Sequence, residues 1–270
     1  MLQHEHHGGP PPSPVLDTLL DRIDDIRFLG AGSANPHWLV TAHGKTYVWR
    51  QFGPDAASPG ADHAREGKIL AAIAGRTWAP VVLAHCPGHG MLFRASAGRH
   101  PNPDELTRHQ RTTLLAALAE CWATGIDDTP RNYIDLVMRY ADRAHASPQR
   151  DELVDALIDA CAPWPTTSFR LTHHDIHPGN LLLAGDQWTL IDWEYAALGN
   201  PWFDAVSADA MLTLTPSEKR MLAPHLDDGF DPARWHSTSR WRQRLNQLWW
   251  LARTPPDGRQ QPTHPHAGLA

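Results

Sequence analysis

Lysine is almost missing from this chain of 270 residues: Lys45, Lys68 and Lys219 are the only three, although basic residues total 24. Chemistry that needs an amine must use one of those positions, and no GxxxxGK[ST] pattern occurs, which excludes a P-loop site. Cysteine is equally scarce. Cys86, Cys121 and Cys161 are odd in number, widely spaced and without a CxxC pair, so neither a disulfide framework nor a zinc site is indicated, and free thiols in a reducing compartment are the expectation. No run approaches the roughly 18 apolar residues of a bilayer span, and the mean hydropathy is −0.44. The first residues carry neither a basic n-region nor an apolar h-region, so the expectation is a cytoplasmic protein without a membrane partner. An excess of positive charge is missing too. With 30 acidic residues and a formal net charge of −6, gripping nucleic acid by phosphate neutralisation is not its task, and a small molecule is the expected partner. Oligomeric state is not encoded in any of these features.

What the chain does have is tryptophan, 12 against 4 Tyr and 6 Phe. Both ends, residues 1–14 and 255–270, are rich in Pro, Gly, His and Gln and are expected to be disordered, having too little apolar content to offset ordering entropy. Residues 15–97 read as a lobe of short antiparallel strands, at 26–29, 38–41, 46–52, 81–84 and 91–95, with His43-Gly44 as a hairpin turn and one helix over 61–75 ending at Gly75. Residues 98–254 read as a larger, mainly helical lobe. The run Asn102-Pro103-Asp104-Glu105 predicts a helix start ahead of a periodic stretch to Trp122. Further helices are expected at 131–145, 149–161, 203–213, 216–223 and 238–252. The fold class is α+β.

Within the helical half lies a β-rich island, residues 170–193, followed by Glu194-Tyr195-Ala196. It carries two polar clusters, His173-x-Asp175-x-x-x-x-Asn180 and Ile191-Asp192-Trp193-Glu194, separated by an apolar hairpin that turns at Gly185-Asp186. A hairpin of that length returns both clusters to the same end of its strands. Asp175, Asn180 and Asp192 then converge, as oxygen ligands of a hard divalent cation do beside a catalytic carboxylate.

This segment resembles the catalytic and metal-binding loops of protein-kinase-like small-molecule phosphotransferases: the aminoglycoside phosphotransferase and choline kinase superfamily, closest in pattern to bacterial thiamine kinases and choline kinases. The resemblance extends through the lobe order, over roughly residues 25–252. It implies a bilobal protein-kinase-like fold that uses ATP and Mg²⁺ and an alcohol as phosphoryl acceptor. It makes Asp175 the carboxylate that accepts the acceptor hydroxyl's proton, and Asn180 and Asp192 the metal ligands. His173 and Asp204 then support the catalytic loop. Residues 15–97 become the nucleotide-binding lobe and residues 98–254 the catalytic and acceptor-binding lobe. Gly30, Gly32 and Ser33, in a flexible turn between the first two strands, meet the phosphates through backbone N–H groups. Where the third strand of such a lobe usually presents lysine, this chain has Arg50, with Lys45 five residues too early. A guanidinium keeps the charge and changes the geometry. Glu66 on the following helix is its expected partner.

For the acceptor the residues leave more than one reading open. Residues 195–254 hold six acidic and seven basic side chains, so no acidic trough for a polycation is visible. Trp235, Trp241, Trp249 and Trp250 crowd the last helices and serve either as core or, for Trp241 and Trp249, as faces for a quaternary nitrogen or thiazolium. Glu194 either meets metal or acceptor or is a helix-start carboxylate. A cationic alcohol of thiamine or choline type is the preferred expectation. An aminoglycoside phosphotransferase and a catalytically silent nucleotide-binding module stand as alternatives.

Overall fold

A computed structural model describes residues 14–31, 35–53, 59–226 and 229–253 of the chain. The tails expected at 1–14 and 255–270 lie outside the described residues apart from Pro14, as do Gly32 and Ser33. Five antiparallel strands form the first lobe: β1 (Asp25–Ala31), β2 (Pro36–Ala42), β3 (Lys45–Gln51), β4 (Val82–Cys86) and β5 (Gly90–Arg94), in spatial order β1-β2-β3-β5-β4. His43 and Gly44 at positive φ, 51° and 69°, close the two-residue turn between β2 and β3, a conformation that matches the twist of the flanking strands. A short helix absent from the sequence reading, α1 (Val15–Leu19), adds Leu16 to a cluster with Ile26, Trp38, Val40, Trp49 and Leu92. Its five residues are too few to show a period.

Side chains alternate along a strand, so burial of Trp49 in that cluster sends Arg50 to the opposite face of the central strand. There it meets α2 (His63–Ala72), capped by Asp62, whose carboxylate accepts from the Arg65 N–H. The helix ends at Ala72, short of Gly75, which sits in the turn beyond it. The chain leaves β5 and is tied to the second lobe by a two-way backbone bridge between Arg99 and Leu183, 3.1 and 2.9 Å. Gly98, at φ 125°, is needed there: a Cβ would stand 2.9 Å from the Leu183 carbonyl.

The second lobe is built from α3 (Arg108–Ala123), α4 (Tyr133–Arg143), α5 (Pro148–Cys161), α6 (Trp202–Leu212), α7 (Pro216–Leu222) and α8 (Pro232–Arg253), with β6 (Arg170–Thr172), β7 (Leu181–Ala184), β8 (Gln187–Leu190) and β9 (Ala197–Gly199) among them. The start signal at Asn102 closes only one tight turn, Pro103–Glu105. Leu106 is extended, and α3 begins on its own capping box, Thr107 with Gln110. At the other end α8 begins six residues before the expected 238, because Asp231 accepts from the Ala233 N–H and Pro232 fills the first helical position. The β6–β9 pair also escaped the sequence reading, since three-residue strands carry no alternation to detect. Two further apolar clusters complete the core, one running from α2 and β5 of the first lobe to α3, β7, β8 and α6, the other among α4, α5 and α8. Eight of the twelve tryptophans are fully buried, so the Trp excess is mostly core. All three cysteines are free thiols. Among the described residues no helix is long and apolar enough to cross a membrane.

One ion pair fastens α3 to α7. Arg111 Nε and Nη2 donate to the two Glu218 oxygens at 2.6 and 2.8 Å, which holds the Glu218 pKa near about 2 instead of the ordinary 4.5. A depressed carboxyl pKa gives stability that is complete above the unfolded value and is lost as pH falls through the folded one. Glu218→Gln is therefore expected to destabilise the chain by about 2 kcal/mol at pH 7, after discounting for solvent screening. The difference from the parent should vanish between pH 4.5 and 2, as read by urea melts across that window. An unchanged difference at pH 2.5 and 7 would refute the pair's role.

Candidate active site

Residues 173–180 run from β6 to β7, and residues 191–196 leave β8 toward β9. The Ile191 N–H donates to the Asn180 carbonyl at 3.0 Å, which holds the two polar clusters side by side at the mouth of the β7–β8 hairpin. His174 and Asp192 both adopt positive φ, 67° and 64°, a conformation that non-glycine residues keep only where their surroundings impose it.

Asp204, fully buried in the first turn of α6, accepts the backbone N–H groups of His173 and His174, both at 2.8 Å, and the Trp122 indole at 3.2 Å. Burial pushes its pKa up to about 6 against those donors. His173 is also fully buried; its Nε2 bonds the Ile191 carbonyl at 3.0 Å and so carries the proton. Burial lowers its pKa, leaving it neutral. His174 bonds the Thr172 carbonyl through Nδ1, 3.0 Å, and accepts from the Tyr133 hydroxyl at Nε2, 2.7 Å. That hydroxyl in turn accepts the Asn200 N–H at 2.8 Å. Burial holds His174 well below its ordinary pKa. Gly199 makes room for the ring, since a Cβ there would come within 2.5 Å of it.

The Asp175 side chain remains 36% exposed. Asn180 Nδ2 donates to its Oδ2 at 2.8 Å and to its backbone carbonyl at 3.0 Å. His177 accepts the Gly179 N–H at Nδ1, so its proton sits on Nε2, which faces Asp175 Oδ2 at 3.5 Å. Burial alone would raise the Asp175 pKa; His177, then His173 and Asn180, outweigh it and keep the carboxylate ionised. Nothing in the spacing of His177 from Asp175 signals this contact in the sequence.

Across the cleft Arg50, 3% exposed, joins two carboxylates. Nη2 pairs with Glu66 and Nη1 donates to Asp192 Oδ1 at 2.9 Å, while Nε has no hydrogen-bond partner. Burial opposes its charge, but Glu66, Asp192 and Glu194 more than compensate and raise its pKa. The same contact holds Glu66 below its ordinary value against burial. Burial raises the Asp192 pKa, and Arg50 limits the rise. The Arg50–Asp192 contact was not foreseen.

Glu194, named as an acceptor-pocket candidate, is enclosed in the protein. It accepts from Asn35 Nδ2 at 2.8 Å, beside the turn after β1. Burial and then Asp192 push its pKa up to about 8. Trp241, the second such candidate, is enclosed as well. At 1% exposure it packs against Tyr133, Trp164 and Phe203 and donates its indole N–H to the Leu157 carbonyl. One face of Trp249 is already covered by Arg253, whose guanidinium carbon lies 4.3 Å from the ring centroid. Gly30, at φ 134°, belongs to the irregular part of β1.

The residues fit a hard cation and a polyphosphate. Asn180 spends its nitrogen on Asp175 and keeps Oδ1, and Asp192 keeps Oδ2, an all-oxygen pair suited to Mg²⁺. Among the described residues no group of three or more His, Cys, Asp or Glu could hold a metal by itself. A magnesium ion held by Asn180 and Asp192 would need further ligands from substrate and water. The Arg50 Nε is a buried donor without a partner, of a kind a phosphate oxygen would suit.

Two lobes, a five-stranded antiparallel sheet and an Asp/Asn/Asp cluster beneath it define the class of protein-kinase-like phosphotransferases. The chain belongs to the family described as "Phosphotransferase enzyme family", which matches residues 25–238, and it is a phosphotransferase. Solved structures agree on the fold. Choline kinase LicA from Streptococcus pneumoniae superposes with a TM-score of 0.70 over 88% of this chain and 88% of its own, at 14% identity. Spectinomycin phosphotransferase APH(9)-Ia, in complex with ADP and spectinomycin, gives 0.63 over 90% and 87% at 14% identity. A choline/ethanolamine kinase family protein from Mesorhizobium loti gives 0.60 over 88% and 80% at 19% identity. No curated protein matches the chain in sequence.

Proposed function

We propose that the chain transfers the γ-phosphate of ATP to a hydroxyl group of a small molecule, with Mg²⁺. The observation that carries this reading is the meeting of Asp175, Asn180 and Asp192 with Arg50, through contacts of 2.8 and 2.9 Å. The nucleotides bound in structural neighbours, AMP in LicA and ADP in the spectinomycin enzyme, support ATP as donor. In this reading Asn180 Oδ1 and Asp192 Oδ2 hold the magnesium ion, which supplies neutralisation of charge on the phosphates. Arg50 gives its Nε hydrogen to a phosphate oxygen. Asp175, kept ionised and oriented by Asn180 and His177, accepts the hydroxyl proton as the oxygen attacks, and the lobe over residues 15–97 covers the nucleotide. The active set also speaks against a silent nucleotide-binding module.

Trp241 is enclosed and one face of Trp249 is taken by Arg253, so the acceptor proposed here is a small alcohol and no finer class. The test is ADP release from Mg-ATP with choline, ethanolamine, thiamine, kanamycin, hydroxy acids and sugar phosphates as acceptors. At least one acceptor is expected to raise release about tenfold or more over the acceptor-free rate, a modest fraction of ordinary enzymatic acceleration. EDTA should return release to background. Background release with every acceptor would sink the proposed reaction.

A further inference from the structure

A small cavity of about 40 Å³ opens between α4, the 193–196 segment, α6 and α8. Tyr133, Tyr140, His174, Tyr195 and Phe203 form most of its wall, and Arg131 is its one permanently charged lining residue. His174 directly precedes Asp175, and the Tyr140 hydroxyl lies within electrostatic reach of the Asp175 carboxylate, so the cavity lies close to Asp175.

Arg131 is 7% exposed. Its Nη2 donates to the carbonyls of Gly60 and Tyr195, 3.2 and 2.6 Å. Nε is buried with no partner, and among the described residues Nη1 makes no hydrogen bond and no carboxylate pairs with the guanidinium. Burial lowers its pKa and nearby Arg65 lowers it further, offset only in part by the tyrosines around it. Carbonyl oxygens satisfy two hydrogens but leave the charge uncompensated, an arrangement that is costly inside a protein unless something negative completes it. The neighbours do not complete it. His174 spends both ring nitrogens on neutral partners, and Glu194 is turned to Asn35. A second arginine adds to the imbalance: Arg242 of α8, partly buried, makes no hydrogen bond or ion pair among the described residues, and its guanidinium lies within electrostatic reach of Asp175.

We infer that the acceptor is an alcohol that also carries a negative group, a carboxylate or a phosphate, which enters this cavity and pairs with Arg131 while the hydroxyl faces Asp175. Arg242 adds attraction from the α8 side. The inference rests on the proposed phosphoryl transfer for the role of the bound molecule, but the binding itself does not. A polycation or a quaternary ammonium compound is disfavoured by two like charges.

The test uses the full chain and four probes of similar size: glycerate for the carboxylate arm, glycerol 3-phosphate for the phosphate arm, glycerol and choline. Calorimetric titration with Mg-ADP present needs no turnover. One or both anions are expected to bind at least 30-fold more tightly than glycerol, with choline weakest, and the stronger arm names the group. Arg131→Met should abolish that preference, Arg131→Lys should restore part of it, and Arg242→Gln, which touches neither Gly60 nor Tyr195, should weaken anion binding three- to tenfold. Melting curves show whether Arg131→Met is folded; if it is not, Arg131→Lys and Arg242→Gln carry the comparison. Choline or glycerol binding as tightly as both anions would overturn the inference, as would unaltered anion binding in the folded arginine variants. Tight, Arg131-dependent anion binding without any ADP release would leave the inference standing and remove the kinase reading instead.

Discussion

Asp175→Asn is expected to lower acceptor-dependent ADP release by about 10² to 10⁴-fold, the span that one positioned acid–base group supplies, while Mg-ATP affinity stays within about threefold of the parent. Asparagine has nearly the same shape. Its side-chain oxygen still accepts from Asn180 Nδ2, which in the parent stands 2.8 Å from Asp175 Oδ2, so the loop keeps its conformation. Asp204 continues to hold the backbone of His173 and His174 from below. What disappears is the negative oxygen that receives the hydroxyl proton, and with it the pairing to His177. The loss should fall on kcat, with KM for the acceptor little changed, because orientation survives and basicity does not. Fluorescence titration with Mg-ADP checks the nucleotide side, and steady-state coupling to ADP release checks turnover. Full activity in the variant would remove Asp175 from proton transfer. Loss of nucleotide binding together with turnover would instead mark it as a scaffold of the cleft.

How much of this arrangement a reader could take from the residues depends on how far apart in the chain the partners lie. The Asp175-to-Asn180 spacing is local, and the hairpin between Asn180 and Asp192 is short and apolar, so their approach follows from strand geometry alone. The β2–β3 turn is equally local, because His43-Gly44 both tolerate positive φ. Arg50 and Glu66 could be paired because strand and helix are consecutive. The Arg50 contact to Asp192 and the Asn35 contact to Glu194 span 142 and 159 residues, and no periodicity or turn signal encodes such a pair. Arg131 was invisible for a related reason. It stands in a loop before α4, and only the packing of Gly60, Tyr195 and the aromatic wall turns an ordinary arginine into a buried, unpaired one. The tryptophans are ambiguous for another reason: their spacing on α8 is the same whether they face a ligand or the core, and the contact of Trp241 with α5 shows it packed in the interior.

Arg50→Met is expected to cost about 3 to 5 kcal/mol of stability, since it leaves the buried Glu66 carboxylate without its partner. For a chain of this size that corresponds to a fall in Tm of about 10 °C. The same substitution should abolish turnover. Stability and activity part company in the double variant Arg50→Met/Glu66→Met. Removing both charges and filling their space with apolar atoms restores most of the lost stability, because two desolvated ions are replaced by packing against Met91, Phe52 and Phe93, which already surround the guanidinium. Activity does not return, because under the proposed reaction the missing group is the donor to phosphate and the clasp on Asp192 Oδ1. Arg50→Lys tests the geometry of that clasp. A single ammonium on a flexible stem keeps the pairing with Glu66 but cannot also span to Asp192, so Asp192 is no longer held in place. The expected outcome is a Tm close to the parent and a KM for ATP raised about tenfold, in keeping with the loss of one charge-assisted hydrogen bond. Thermal melts of the three variants beside their ATP kinetics make the comparison. An active double variant would show that Arg50 serves only the fold, and an Arg50→Met chain as stable as the parent would show that Glu66 does not depend on it.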